Sequence, residues 1–205
     1  AHLSLNFIDG NIIDMFIPLK HFQSAPILFL LSEELFTTIL GFSETALRTF
    51  PFMVSLLAYP LYYYFVRDLT KSRLTAIIAF ALLTFSAYAI HYSSETKPYT
   101  VELSVFIFLG FLLFSIHPYI VARREKLLKV WGSIFMFLAN TSLVMLSSVV
   151  AYRIYTLLII GKKAHPEAYA AQRKLNKQLF TVWGISFAAD IILNIIINPY
   201  ADNLR

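Results

Sequence analysis

The stretch "HYSSETKPYT", residues 91–100, places Glu95 two positions before Lys97, with Tyr92, Pro98 and Tyr99 around them. A carboxylate can take a proton from a hydroxyl or hold a divalent cation. An ammonium can meet negative charge growing on an oxygen. Asp9, Asp14, His21, Gln23 and Pro26 form a second polar group near the amino end. Glu44 and Arg48 stand four apart on one helix face, where an ion pair is the ordinary reading. Asp190 lies midway along an apolar run, and a carboxylate there is costly unless it works or is paired. Arg153 is the partner to look for, and a structural pair is preferred to a catalytic role. The ordinary readings of the 91–100 turn are a hydrated or Lys97-paired Glu95, a Lys97 reaching for headgroups, and interfacial tyrosines. Pro98 starts the next helix. No phosphate-cradling glycine loop or paired-His metal motif occurs, and with no cysteine there is neither disulfide nor thiolate site.

The elements that must position these groups are apolar. Of 205 residues 58% are hydrophobic and only 14% charged, against about 25% charged in a soluble domain. The apolar runs are continuous rather than alternating, which favours spanning helices over a barrel. Pro26 opens a helix over 26–40 that carries Glu33 and Glu34 and is too short to cross; it lies at the interface, and Gly41 ends it. Ser43 caps the following helix, which runs to about residue 67 with Pro51 and Pro60 inside it. Further spans are expected at Leu74–Ile90, Val101–Ile116 and Leu179–Ile197. Residues 130–160 exceed one crossing, and "ANTS" at 139–142 is their only polar break, so two helices are expected to meet there.

The net charge of +5 is concentrated in 67–73, 117–129 and 161–178. Such patches between apolar runs read as cytoplasmic loops, not as a nucleic-acid surface. They share one side only if an even number of crossings separates them. The expectation is an all-α, polytopic membrane protein of about six spans, with interfacial helices in an outer loop. Residues 1–42 form that outer-face loop and 43–205 the helical bundle. The amino-terminal segment, the 91–100 turn, the Asn140 turn and the carboxyl end then face outward.

The runs "HFQSAPILFLL", "GFSETALRTFP", "RDLT" and "YSSETKPYTVEL" resemble, in this order, the amino-terminal half of GT-C membrane glycosyltransferases. The nearest in pattern are protein-mannosyltransferase-like and lipid A aminoarabinose transferase-like enzymes. The resemblance covers about residues 1–115; beyond it only a generic pattern of spans is shared. It implies sugar transfer from a polyprenyl-phosphate donor to a lipid, glycan or protein acceptor on the outer face of a bacterial inner membrane. It also implies a fragment, whose principal Asp-Glu motif would fall just before Ala1 and which would be inactive alone. Glu95 matches the family's second outer acidic position, as catalytic group or ligand to a divalent cation such as magnesium or manganese. Lys97 stands where relatives often carry Arg and would meet the donor phosphate, joined by Arg48 and His21. Gln23, Tyr92 and Tyr99 would line the site.

Two other readings compete. A transporter would spread polar groups along facing sides of several spans or show an internal repeat. A non-catalytic assembly or lipid-binding membrane protein would need no acid at all.

Overall fold

A computed structural model describes residues 7, 12–16, 25–93, 95–160 and 166–197. Eight α-helices carry the described chain: α1 (Ile27–Leu40), α2 (Glu44–Thr70), α3 (Arg73–Thr84), α4 (Ala87–Ser93), α5 (Tyr99–Phe114), α6 (Pro118–Leu138), α7 (Thr141–Ile160) and α8 (Pro166–Ile197). A 3₁₀ turn at Ile12–Phe16 precedes them, and no strand occurs among the described residues.

The local signals in the sequence set most of these boundaries. Pro26 is the N-cap of α1. Gly41, at φ 77°, ends it in a backbone conformation that a Cβ would disfavour. The Ser43 side chain accepts the Ala46 amide and caps α2. That helix runs unbroken through Pro51 and Pro60. At its end Lys71, also at positive φ, donates its N–H back to the Arg67 carbonyl. Pro98 is the N-cap of α5. α6 ends at Leu138 and α7 begins at Thr141, so the polar break at 139–142 does separate two helices.

Two expectations need correction. The run Leu74–Ile90 is not one straight helix: α3 and α4 meet at Phe85–Ser86 with a 57° bend. Ser86 explains the restart, because its hydroxyl accepts the Ala89 amide at 3.3 Å as an N-cap does. Residues 166–178 are not a loop before the last span but the first three turns of α8. Ala168, Ala170, Ala171, Gln172, Arg173, Lys174 and Leu175 are all strong helix formers.

Three helices, α2, α7 and α8, are long and apolar enough to cross a membrane, or four counting α3 with α4 as one bent span. α5 is apolar but has 16 residues, and the first half of α6 is charged. Large apolar side chains are exposed on the flanks of these helices, among them Leu57, Leu82, Phe85, Leu158 and Ile185. Continuous exposure of this kind suits lipid rather than water.

Inside, one core joins α1, α2, α5, α6, α7 and α8 through Phe29, Leu30, Leu47, Leu109, Leu112, Leu128, Met136, Val149 and Leu179. The broadest packing is α2 against α5. Polar contacts then place the basic segments together. Asp68 at the end of α2 accepts the Ile116 amide at 3.0 Å, and Arg124 of α6 donates to the Ser115 carbonyl. Arg153 of α7 reaches Glu125 of α6 at 2.6 Å and Asn176 of α8 at 3.4 Å. Lys129 of α6 donates to Gln178 of α8 at 2.7 Å. Segments 67–73, 117–129 and 166–178 therefore lie at one end of the bundle. At the other end the Glu102 carboxylate faces the Asn140 amide, bringing the start of α5 beside the α6–α7 turn.

Candidate functional site

The turn between α4 and α5 gathers the predicted polar residues. The Lys97 amide donates to the Glu95 carbonyl at 2.8 Å, closing a tight turn that turns both side chains toward each other. One Glu95 oxygen faces His91 Nε2 at 3.0 Å and the other faces Lys97 Nζ at 3.4 Å. His91 sits one helical turn before Glu95, so the end of α4 delivers it.

Aromatic rings frame this triad. Tyr92 packs edge-on against Tyr99, with centroids 5.3 Å apart, and also against His91 at 5.3 Å. Lys97 Nζ stands 5.6 Å from the centre of the Tyr99 ring, within cation–π range. Tyr92 and Tyr99 thus line the turn, and Glu95 and Lys97 meet there. His91 is the member the sequence reading passed over; its spacing of four from Glu95 was the available signal. The Glu95 side chain is 29% exposed, yet Oε2, the oxygen that faces Lys97, is itself buried.

Arg48 is not part of this group in any contact the helices make. Its guanidinium pairs with Glu44 on the exposed first turn of α2, which is the ordinary reading of that spacing. His21 and Gln23 lie outside the described residues, as do Asp9 and the side chain of Asp14. Among the described residues no three His, Asp or Glu side chains converge as a metal site needs. Glu95 and His91 furnish two donors, with an ammonium beside them.

Asp190 is buried in α8, but Arg153 is not its partner. Arg153 belongs to Glu125 and Asn176, while Asn194, one turn on from Asp190, donates to the Asp190 backbone carbonyl at 2.9 Å. Arg153 meets α8 at Asn176, 14 positions before Asp190, so opposite charge alone was a poor guide.

Sequence reasoning also missed the burial of Glu33. It is fully buried, on the α1 face that carries Phe29, Leu30 and Thr37 into the core. Among the described residues neither of its oxygens has a hydrogen-bond partner. Burial pushes its carboxyl from 4.5 up to about 8, because desolvation penalises the charged form. The rings of Phe29 and Phe36 pack on Phe50 of α2 on either side of it. The hydrophobic pattern of "PILFLLSEELF" contained the signal: Glu33 follows Phe29 by four and Leu30 by three.

The chain matches no protein-family model, no curated protein and no solved structure.

Proposed function

We propose that this chain is a polyprenyl-phosphate-sugar-dependent glycosyltransferase of the GT-C kind. Its site would lie on the outer face of a bacterial inner membrane, with α5 and α6 completing six crossings. The observation that carries the reading is the convergence of Glu95, His91 and Lys97 between two tyrosine rings, at the end opposite the basic segments. Positive segments stay cytoplasmic, so the turn faces outward. The sequence resemblance over residues 1–115 supports the same assignment.

In this reading the Glu95 carboxylate takes the proton of an acceptor hydroxyl. That oxygen bonds to the anomeric carbon while the bond from the sugar to the donor phosphate breaks. Lys97 meets the charge that appears on the departing polyprenyl phosphate. His91, within hydrogen-bond distance of Glu95, orients the carboxylate. Tyr92 and Tyr99 offer flat apolar faces to a sugar ring. A divalent cation would find Glu95 and His91 as donors; no step here depends on one.

The deciding experiment reconstitutes the complete protein that contains this chain in vesicles with a mixture of polyprenyl-phosphate sugars and compares it with its Glu95→Gln variant. A general base contributes about 10²–10⁴-fold. A loss of that order, with folding and insertion intact, supports the reading. Transfer by Glu95→Gln at the native rate removes it.

One observation favours a transporter as second reading. The α3–α4 pair is a broken helix bent by 57° beside a polar turn, as discontinuous helices are at transport sites. Solute flux into vesicles without any glycosylated product would select it.

A further inference from the structure

A cleft of about 620 Å³ opens at the flank of the bundle between α7 and α8. Leu143, Ser147 and Val150 form one wall; Phe180, Gly184 and Phe187 form the other. A Cβ built on Gly184 would meet nothing within 4 Å, so the floor of the cleft is open at that point.

The α8 wall does not end where the cleft does. At 100° per residue, Arg173, Lys177, Phe180, Gly184 and Phe187 fall within an arc of about 80°. One stripe thus runs from two cations into the apolar cleft, with Lys177 roughly 10 Å along the axis from Gly184. Both cations are exposed, and no ion-pair partner for either occurs among the described residues. Like charges four apart repel each other, and no carboxylate lies on the stripe to relieve them. The apolar part of α8 begins at Leu179, so Arg173 and Lys177 sit at headgroup depth when α8 crosses the bilayer.

We infer that the α7–α8 cleft is a binding site for an anionic diacyl phospholipid of the leaflet on the basic side. Its phosphate is held by Arg173 and Lys177, and an acyl chain lies against Gly184 and Phe180. The site is separate from the Glu95 turn, which lies at the opposite end of the bundle. The inference rests on the membrane reading of α8 and not on glycosyl transfer.

The test uses Trp183, which lines the cleft. The chain has two tryptophans, and Trp131→Phe leaves Trp183 as the sole reporter. The full chain is reconstituted in phosphatidylcholine vesicles with increasing fractions of phosphatidylglycerol carrying brominated acyl chains, or of brominated phosphatidylcholine as control. Bromine quenches tryptophan only near contact. The expected result is half-maximal quenching at a mole fraction at least fivefold lower for phosphatidylglycerol. Arg173→Gln with Lys177→Gln brings that curve onto the phosphatidylcholine curve. Gly184→Leu, which fills the floor, lowers the limiting quenching by phosphatidylglycerol. Equal curves for the two lipids overturn the inference, as does a preference that survives the double substitution or a limiting quenching that Gly184→Leu leaves unchanged. Native mass spectrometry of the unsubstituted chain gives the same comparison without Trp131→Phe: retention of phosphatidylglycerol over phosphatidylcholine supports the site, and equal retention overturns it.

Discussion

Lys97 Nζ lies 3.4 Å from a Glu95 oxygen and 5.6 Å from the centre of the Tyr99 ring. The ammonium is therefore held by a carboxylate and an aromatic face at once, with its side chain still 43% exposed. In the proposed reaction that cation would swing from Glu95 to the donor phosphate while staying on the Tyr99 ring.

The first prediction concerns that swing. Lys97→Gln keeps polarity on a side chain one atom shorter but removes the charge, and in the proposed reaction donor binding should weaken about tenfold or more, the usual worth of a charge-assisted hydrogen bond. Lys97→Arg should keep most of the affinity, since a guanidinium also serves phosphate. Donor affinity by titration, with the transfer rate measured separately at saturation, checks both. Equal affinity for Lys97→Gln and native protein would assign Lys97 to the headgroup region instead.

The second prediction follows from Glu33. Its folded value, about 8, lies above the ordinary 4.5. The folded state therefore holds its proton more tightly than the unfolded chain. The stabilisation is complete below pH 4.5 and is lost as pH rises through about 8. The slope approaches about 1.4 kcal/mol per pH unit inside that window. Glu33→Gln mimics the protonated acid, so it should flatten the profile, matching native protein near pH 4.5 and exceeding it at pH 8. Thermal unfolding in detergent across this range reads the difference. Parallel profiles for the two proteins would mean that Glu33 ionises in the folded state as it does in water.

Helix ends were the most legible part of the fold. Pro26, Gly41, Ser43, Pro98 and the Asn140 break each act through local backbone chemistry, which needs no tertiary partner. The Glu44–Arg48 pair was legible for the same reason. What depended on packing was not. The α3–α4 bend falls at Phe85–Ser86, where neither Pro nor Gly marks it. Charge suggested a loop at 166–178, yet helix propensity and the contacts Arg153–Asn176 and Lys129–Gln178 keep that segment helical. At the candidate site, Glu95 and Lys97 were visible as neighbours in sequence. His91 stood four positions before Glu95 in the sequence, but its approach to the carboxylate came only with the knowledge that α4 continues as far as Ser93.

The third prediction tests the joint between the basic ends. Asp68 is 2% exposed. It accepts from Arg67 Nε and Nη2 at 2.9 and 2.7 Å, and from the Ile116 amide at 3.0 Å. Asp68→Ala strands the Ile116 donor at the α5–α6 junction and should cost about 1–3 kcal/mol. Asp68→Asn keeps one acceptor oxygen and should cost less. Hydrogen exchange at the Ile116 amide should accelerate in the alanine variant before other amides of α5 do. Unchanged protection there would show that the α2–α5 packing alone holds the junction.

The last prediction concerns the contact between α6 and α8. Trp183 Nε1 donates to the Leu128 carbonyl at 3.1 Å, and its ring packs against Gly132. A Cβ at position 132 would come within 2.7 Å of that nitrogen, closer than any real contact allows. The indole is 3% exposed, with Leu179 and Leu128 in the core beside it, and the space it can turn into is the α7–α8 cleft that it lines. Gly132→Ala must therefore push α8 outward or turn the ring off the Leu128 carbonyl. Overpacking of this kind costs about 1–3 kcal/mol. Alanine's better helix propensity, about 1 kcal/mol over glycine, acts in the opposite direction and is outweighed. Two readouts separate the terms. The unfolding midpoint of Gly132→Ala should fall, and in a Trp131→Phe background the Trp183 emission should shift as its hydrogen bond is lost. A rise in stability with unchanged emission would mean that the helices separate freely here, and that Gly132 is no more than a weak point in α6.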